Sequence, residues 1–167
     1  MKRHPALRDL SSDHHLGLVQ ARRLVKAVGT ASETDGPEAA VGKTRETAGV
    51  AQVAGDFLAF WAEHTTRHFR EEEEVLLPAF ARYGDPSQAP IAQLLVEHVH
   101  IRRLVSDLQH QLDTDQPSLE TIGAIGELLR AHIKHEEDVV FPLIESVMPE
   151  EALQELASRL SAYAEGT

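Results

Sequence analysis

Two stretches of the chain carry an imidazole and a carboxylate at a spacing suited to a shared cation: His68 with Glu72 in HFREEEEVLLP, and His132 with Glu136 in HIKHEEDVVFP. Each reads His-x-x-x-Glu and reaches a proline ten residues after its histidine, Pro78 or Pro142, and all three positions recur at a constant offset of 64 residues. On a helix this spacing is about one turn, so each pair lies on one face with both side chains able to reach the same centre. The 167-residue chain has no cysteine, which removes thiolate metal sites, disulfides and thiol catalysis together. Any metal must be held by His, Asp and Glu. Mixed imidazole and carboxylate ligands suit iron, manganese or zinc, and do not favour calcium or copper(I).

Helical periodicity supplies the elements that must position these pairs. Helix 1, residues 11–28, opens on Ser11, Ser12 and Asp13 as N-cap residues and turns His14 inward with Leu18, Ala21, Val25 and Val28. His15 shares its face with Val19, Arg22 and Lys26 and sits at the edge. Residues 29–44, rich in Gly, Ala and acidic residues with no apolar stripe, read as a loop. Helix 2, residues 45–83, has one stripe through Val50, Ala54, Phe57, Trp61, His64, His68, Glu72, Leu76 and Ala79. Of the run Glu71 to Glu74 only Glu72 falls on that stripe, so its neighbours read as a solvated face. Pro78 bends the helix or ends its regular part, and Gly84, Asp85 and Pro86 stop it.

Helix 3, residues 90–112, starts at Pro90, and its stripe of Ile91, Leu94, His98, Ile101, Val105, Leu108 and Leu112 is broken only by the histidine. Helix 4, residues 117–146, aligns Ile125, Leu129, His132, Glu136, Val139 and Leu143, and a short helix 5, residues 149–163, docks through Leu153, Leu156 and Leu160. Short connections make consecutive helices antiparallel, so the fold expected for the single domain 1–167 is all-α, an up-down-up-down four-helix bundle with a fifth C-terminal helix.

In such a bundle His14, His68, Glu72, His98, His132 and Glu136 meet at one end. Clustered in a core, these groups cost several kcal/mol per unpaired charge, and no Lys or Arg shares their stripes. A bound cation resolves the conflict, and two carboxylates that can each bridge favour a pair of metals. His64 reads as a hydrogen-bonding partner behind a ligand rather than a ligand itself. His15, His100 and His135 are boundary residues, with His135, three residues after His132, the nearest spare ligand; His4 and His110 read as surface. Ferritin-like bundles use Glu-x-x-His on two helices, a pattern this chain does not share.

The formal net charge of −11 argues against a nucleic-acid or anionic-membrane partner. The opening MKRHPALRDL is followed by no apolar core, and nowhere is there the roughly 18-residue apolar run of a membrane span. A cytoplasmic protein is expected.

DHH in helix 1, HFREEEEVLLP, LLVEHVHIRRL and HIKHEEDVVFPLIE together resemble the hemerythrin-like, HHE cation-binding family over nearly the whole chain. The resemblance implies a non-haem centre of two iron ions bridged by carboxylates and by an oxo or hydroxo group. It makes His14, His68, His98 and His132 terminal ligands and Glu72 and Glu136 bridges. Two departures stand out. Oxygen-carrying hemerythrins have a second histidine four residues after the first on helix 3, where this chain has Arg102, and a His-x-x-x-x-Asp on helix 4, where it has His132 and Glu136. The ligand set leaves coordination positions open, which favours small exogenous ligands: dioxygen, nitric oxide or peroxide. The leading function expected is binding or sensing of dioxygen, nitric oxide or iron and redox state, with a separate, unidentified protein partner for a sensor. The alternative is a di-iron enzyme with peroxidase- or catalase-like activity on hydrogen peroxide.

Overall fold

The computed structural model describes residues 3–32 and 39–166, the side chains of residues 31–48 excepted. Among the described residues there is no strand. Helix α1 (Arg8–Ser32) leads to α2 (Ala39–Phe60), which continues as one rod through α3 (Thr66–Glu71) and α4 (Leu77–Phe80). Then come α5 (Ala89–Asp113), α6 (Leu119–His135) with its continuation α7 (Phe141–Val147), and α8 (Glu150–Gly166). Contacts run α1 to α2, α2 to α5, α5 to α6 and α6 back to α1, which closes a four-rod bundle. No helix among the described residues is long and apolar enough to cross a membrane.

Several boundaries differ from the sequence reading. The N-cap is not at Ser11–Asp13: a 3-10 turn, Pro5–Leu7, precedes α1, and His4 caps it by accepting from the Ala6 N–H at 3.1 Å. The loop expected at 29–44 is shorter, since α1 runs to Ser32 and α2 starts at Ala39, where Ala, Lys, Arg and Glu favour helix over the scattered glycines; residues 33–38 lie outside the described residues. Pro90 sits in the first turn of α5 as expected, and Ser118 caps α6 by accepting from the Thr121 N–H at 3.3 Å.

The rods are not uniform α-helix. Wider π turns occupy Trp61–Thr65, Glu72–Leu76 and Glu136–Val140. The last two are copies at the 64-residue offset, and each lies just before its proline. A proline inside a helix lacks an N–H and collides with the carbonyl four residues back. The Leu77 and Phe141 N–H groups instead reach back five residues, to the carbonyls of Glu72 and Glu136, so the rod passes the proline without breaking. In the first π turn the Thr66 hydroxyl donates to the Trp61 carbonyl at 3.0 Å, alongside the Thr66 N–H.

Each π turn adds a residue and rotates the stripe beyond it. Val139, expected inward, is 42% exposed, and Val140 takes its place in the core. Val75, the counterpart of Val139, is buried in a cluster with Leu153 and Leu156 of α8. That cluster also holds Leu7, Phe80, Ile91, Leu94, Phe141 and Ile144. A second core holds Leu24, Phe57, Phe69, Ile101, Leu108, Ile125 and Leu129. The six inward polar residues, expected to meet at one end of the bundle, form instead a layer between two apolar cores. The packing of α1 on α6 is close enough to exclude a side chain at Gly126, where a Cβ would sit 2.9 Å from the Ala21 carbonyl oxygen.

Candidate metal centre

Four helices each present one part of the layer. α1 gives His14, α3 gives His68 with Glu72 one turn on, α5 gives His98, and α6 gives His132 with Glu136 one turn on; all six are buried. Their ligand atoms fall into two groups, His14, His68, Glu72 and Glu136, and Glu72, His98, His132 and Glu136, with the atoms of each group within 4.8 Å of one another. The groups share the two glutamates, and the individual distances show how. Glu72 turns Oε1 to His68 Nε2 at 3.5 Å and Oε2 to His98 Nε2 at 3.3 Å. Glu136 turns Oε2 to His14 Nε2 at 2.9 Å and Oε1 to His132 Nε2 at 3.2 Å. Each carboxylate thus spans one histidine of each group.

The inner face of this cluster is short of hydrogen bonds. Both oxygens of Glu72 and of Glu136, and Nε2 of His98 and His132, are buried without a directed hydrogen-bond partner. Buried carboxylate oxygens and imidazole nitrogens in that condition are costly unless a cation satisfies them, and the donor set of four imidazoles and two carboxylates fits a divalent metal. Without one, protons are drawn in. Burial alone would depress His14 and His98, but the facing carboxylates of Glu136 and Glu137 push His14 up to about 10, and those of Glu136, Glu72 and Glu73 push His98 up to about 11. Glu136, for which burial works the other way, is held well below the usual carboxylate range by His132, His14 and His98.

The outer face of each histidine is held by a second carboxylate. His14 Nδ1 lies 2.6 Å from Glu137 Oε1, His98 Nδ1 2.7 Å from Glu73 Oε1, and His132 Nδ1 3.0 Å from Glu97 Oε2. An Nδ1–H donated outward leaves Nε2 as the inward-facing lone pair, the form that ligates. Burial opposes their ionisation, yet the hydrogen bonds from these histidines bring Glu73, Glu97 and Glu137 down to about 2. His68 is held more loosely, with Asp13 Oδ2 3.6 Å from its Nδ1.

Two of these arrangements are copies. Glu73 and Glu137 are 64 residues apart, each next to a spanning glutamate and each reaching the lone histidine of another rod. Arg102 grips Glu73 through both oxygens at 2.8 and 3.0 Å and lies over the Phe69 ring, on which His98 stacks with ring centroids 3.8 Å apart. Arg3 pairs with Glu137 at 2.6 Å and lies over the Phe141 ring, on which His14 stacks at 5.4 Å.

The Glu71–Glu74 reading needs correction on this ground. Glu73 orients His98, and Glu71 is buried, facing Arg67 Nε at 3.4 Å; Glu74 alone of the three neighbours is exposed, where it pairs with Arg70 and Tyr163. The signal that could have found Glu73 was the repeat itself, which carries a second glutamate at the same offset. Arg102 braces Glu73. His64 makes no hydrogen bond to a ligand histidine: the π turn at Trp61–Thr65 leaves it 42% exposed, packed on Phe60 at 5.1 Å, with Thr65 buried in its stead. His135 shares Glu97 with His132, at 3.3 Å, and is not in either group. His15, His100 and His110 are exposed, and His4 is half-buried in its cap beside Glu150.

The hemerythrin HHE cation binding domain model matches residues 6–144 of the chain. A comparison with curated proteins finds no match.

Proposed function

The chain belongs to the hemerythrin HHE cation-binding domain family, whose members bind metal, typically iron, and from that premise we propose a cytoplasmic di-iron protein that binds or senses dioxygen, nitric oxide or iron and redox state. His14 and His68 would hold one iron and His98 and His132 the other, with Glu72 and Glu136 shared between the two. The observation that carries this reading is the sharing of both glutamates between the two four-residue groups, with their oxygens buried and lacking hydrogen bonds.

When bound, the metals supply Lewis acidity and electrons to a small ligand. What this chain supplies is orientation and exclusion of water. Glu73, Glu97 and Glu137 fix the imidazoles by their Nδ1 atoms, while Phe69 and Phe141 cover two of the rings.

A second reading, turnover of hydrogen peroxide to water and oxygen, draws on the group formed by Asp13, His68 and Glu71, whose ligand atoms lie within 4.8 Å of one another. Burial pushes the Glu71 carboxyl up from its ordinary value, against the pull of Arg67 and His68, which places a carboxyl able to exchange a proton next to a ligand histidine. Adding peroxide to the iron-loaded protein separates the readings. A single stoichiometric change in the near-ultraviolet spectrum supports binding or sensing. Sustained oxygen release without bleaching supports the enzyme and would overturn the leading reading.

A further inference from the structure

Three of the four inward histidines have their outer nitrogen committed: Nδ1 of His14, His98 and His132 lies 2.6, 2.7 and 3.0 Å from a carboxylate oxygen. His68 is the exception. Its ring is 5% exposed, yet its Nδ1 is buried without a hydrogen-bond partner, and Asp13 Oδ2 stands 3.6 Å away, beyond hydrogen-bond distance. A neutral imidazole has one lone pair, on whichever nitrogen lacks the proton. Outward Nδ1–H bonds fix that lone pair inward on the other three rings, whereas His68 can present it on either side.

On the outer side it meets two carboxylates. Ligand atoms of Asp13, His68 and Glu71 lie within 4.8 Å of one another, and Glu71 is buried although neither four-residue group uses it. Arg67 faces both carboxylates loosely: its Nη2 is 3.8 Å from Asp13 Oδ2, its Nε is 3.4 Å from Glu71 Oε1, and Nε lacks a hydrogen bond. With its side chain 41% exposed, Arg67 can swing into water and leave the carboxylates to another cation. Among the described residues no such outer group stands behind His98 or His132.

We propose that Asp13, Glu71 and Nδ1 of His68 form an outer site for one divalent cation of the iron, manganese or zinc kind, from which the ion moves in to the His14–His68 group; this rests on the metal reading above. One imidazole and two carboxylates suit those ions, and three protein ligands leave a position for water. Asp13, 38% exposed, opens the site to solvent, and the inner group offers four ligands against three, which favours the inward move. In that move the bond from the ion to Nδ1 breaks and one to Nε2 forms. Nε2 gives its proton to water, Nδ1 takes one from water, and the charge of the ion does not change.

The test is cobalt(II) uptake by the metal-free protein, followed by stopped-flow visible absorbance, with metal per chain measured at equilibrium on the same samples. Asp13→Asn and Glu71→Gln are each expected to slow uptake by ~10-fold or more, at least the loss that removing an outer partner causes at a metal site, while metal per chain at equilibrium stays native. Arg67→Ala, which removes the competing cation, speeds uptake. Glu63→Gln, at a side chain 77% exposed and outside all three groups, leaves the rate unchanged. Native rates in Asp13→Asn and Glu71→Gln would overturn the outer site and leave the metal reading standing. Native rates with weakened equilibrium binding would reduce Asp13 to a residue that orients His68, and overturn it too. If the native protein binds no metal at the inner groups, the metal reading fails; zinc located by anomalous scattering between Asp13 and Glu71 in soaked crystals would then keep the outer site, and its absence there would remove it. If Glu71→Gln loses its helical circular dichroism, Asp13→Asn and Asp13→Ala decide by the same criterion.

Discussion

Replacing Glu73 with alanine removes the acceptor 2.7 Å from Nδ1 of His98 and frees the two-pronged grip of Arg102. His98 is fully buried, so water does not replace the lost partner, and the ring is left to choose its own tautomer and tilt against Phe69. Loss of such an outer partner costs roughly 10–100-fold in metal affinity, or about 1.4–2.7 kcal/mol. Burial of His98 places the expected loss in the upper half of that range. Arg102 is partly exposed and regains water, so its release adds little. Glu73→Gln keeps an oxygen that can accept from Nδ1–H and is expected to lose about 10-fold or less. Glu74→Ala, at a residue whose side chain is 47% exposed and bonded to Arg70 and Tyr163, should change affinity by less than about 2-fold. Chelator competition on the three proteins, each first shown to be helical by circular dichroism, measures the series. Affinity in Glu73→Ala within about twofold of native, or equal damage from Glu74→Ala, would refute the orienting role.

Glu72→Ala and Glu136→Ala should each abolish binding of the pair of metals, read as metal per chain; retention of both ions in either variant would contradict the shared role. His68→Ala should lose metal severely while His64→Ala keeps it, because His64 is partly exposed and lies outside both ligand groups. The metal-free protein should have a narrow pH optimum of stability. Glu73, Glu97 and Glu137, lowered from 4.5 to about 2, stabilise above 4.5 and lose that contribution as pH falls towards 2. His14, raised from 6.5 to about 10, stabilises below 6.5 and loses its contribution as pH rises towards 10. Thermal melts should therefore peak between pH 4.5 and 6.5, with the alkaline loss removed once metal takes the place of the protons. Gly126→Val, which forces a Cβ to within 2.9 Å of the Ala21 carbonyl oxygen, should cost about 1–3 kcal/mol and lower the melting temperature by several degrees.

Helix-period reasoning was enough to bring His14, His98, His132 and Glu136 onto inward faces, because each lies on a stripe of regular α pitch up to that point, and it places His68 and Glu72 inward together because they stand one turn apart beyond the π turn at Trp61–Thr65. It failed where the pitch changes. A period of 3.6 residues turns both Val139 and His64 inward, and π turns carry Val139 out to solvent and leave His64 partly exposed. Pro78 and Pro142 are the visible marks of two of these turns, whereas the third, at Trp61–Thr65, has no proline after it. Glu73 and Glu137 were hidden for another reason. They lie off the stripes of their own helices and act on histidines of other rods, a relation that no single-helix pattern can express. Pairing of Arg3 with Glu137 likewise depends on the chain's first described residues returning to α6 and its continuation, a contact 134 residues apart in sequence.

Iron per chain, measured on tag-free protein after iron-replete expression, bears most directly on the metal centre. Two iron ions per chain are expected, one for each of the two groups that share Glu72 and Glu136. Less than about one per chain would contradict the pair of metals.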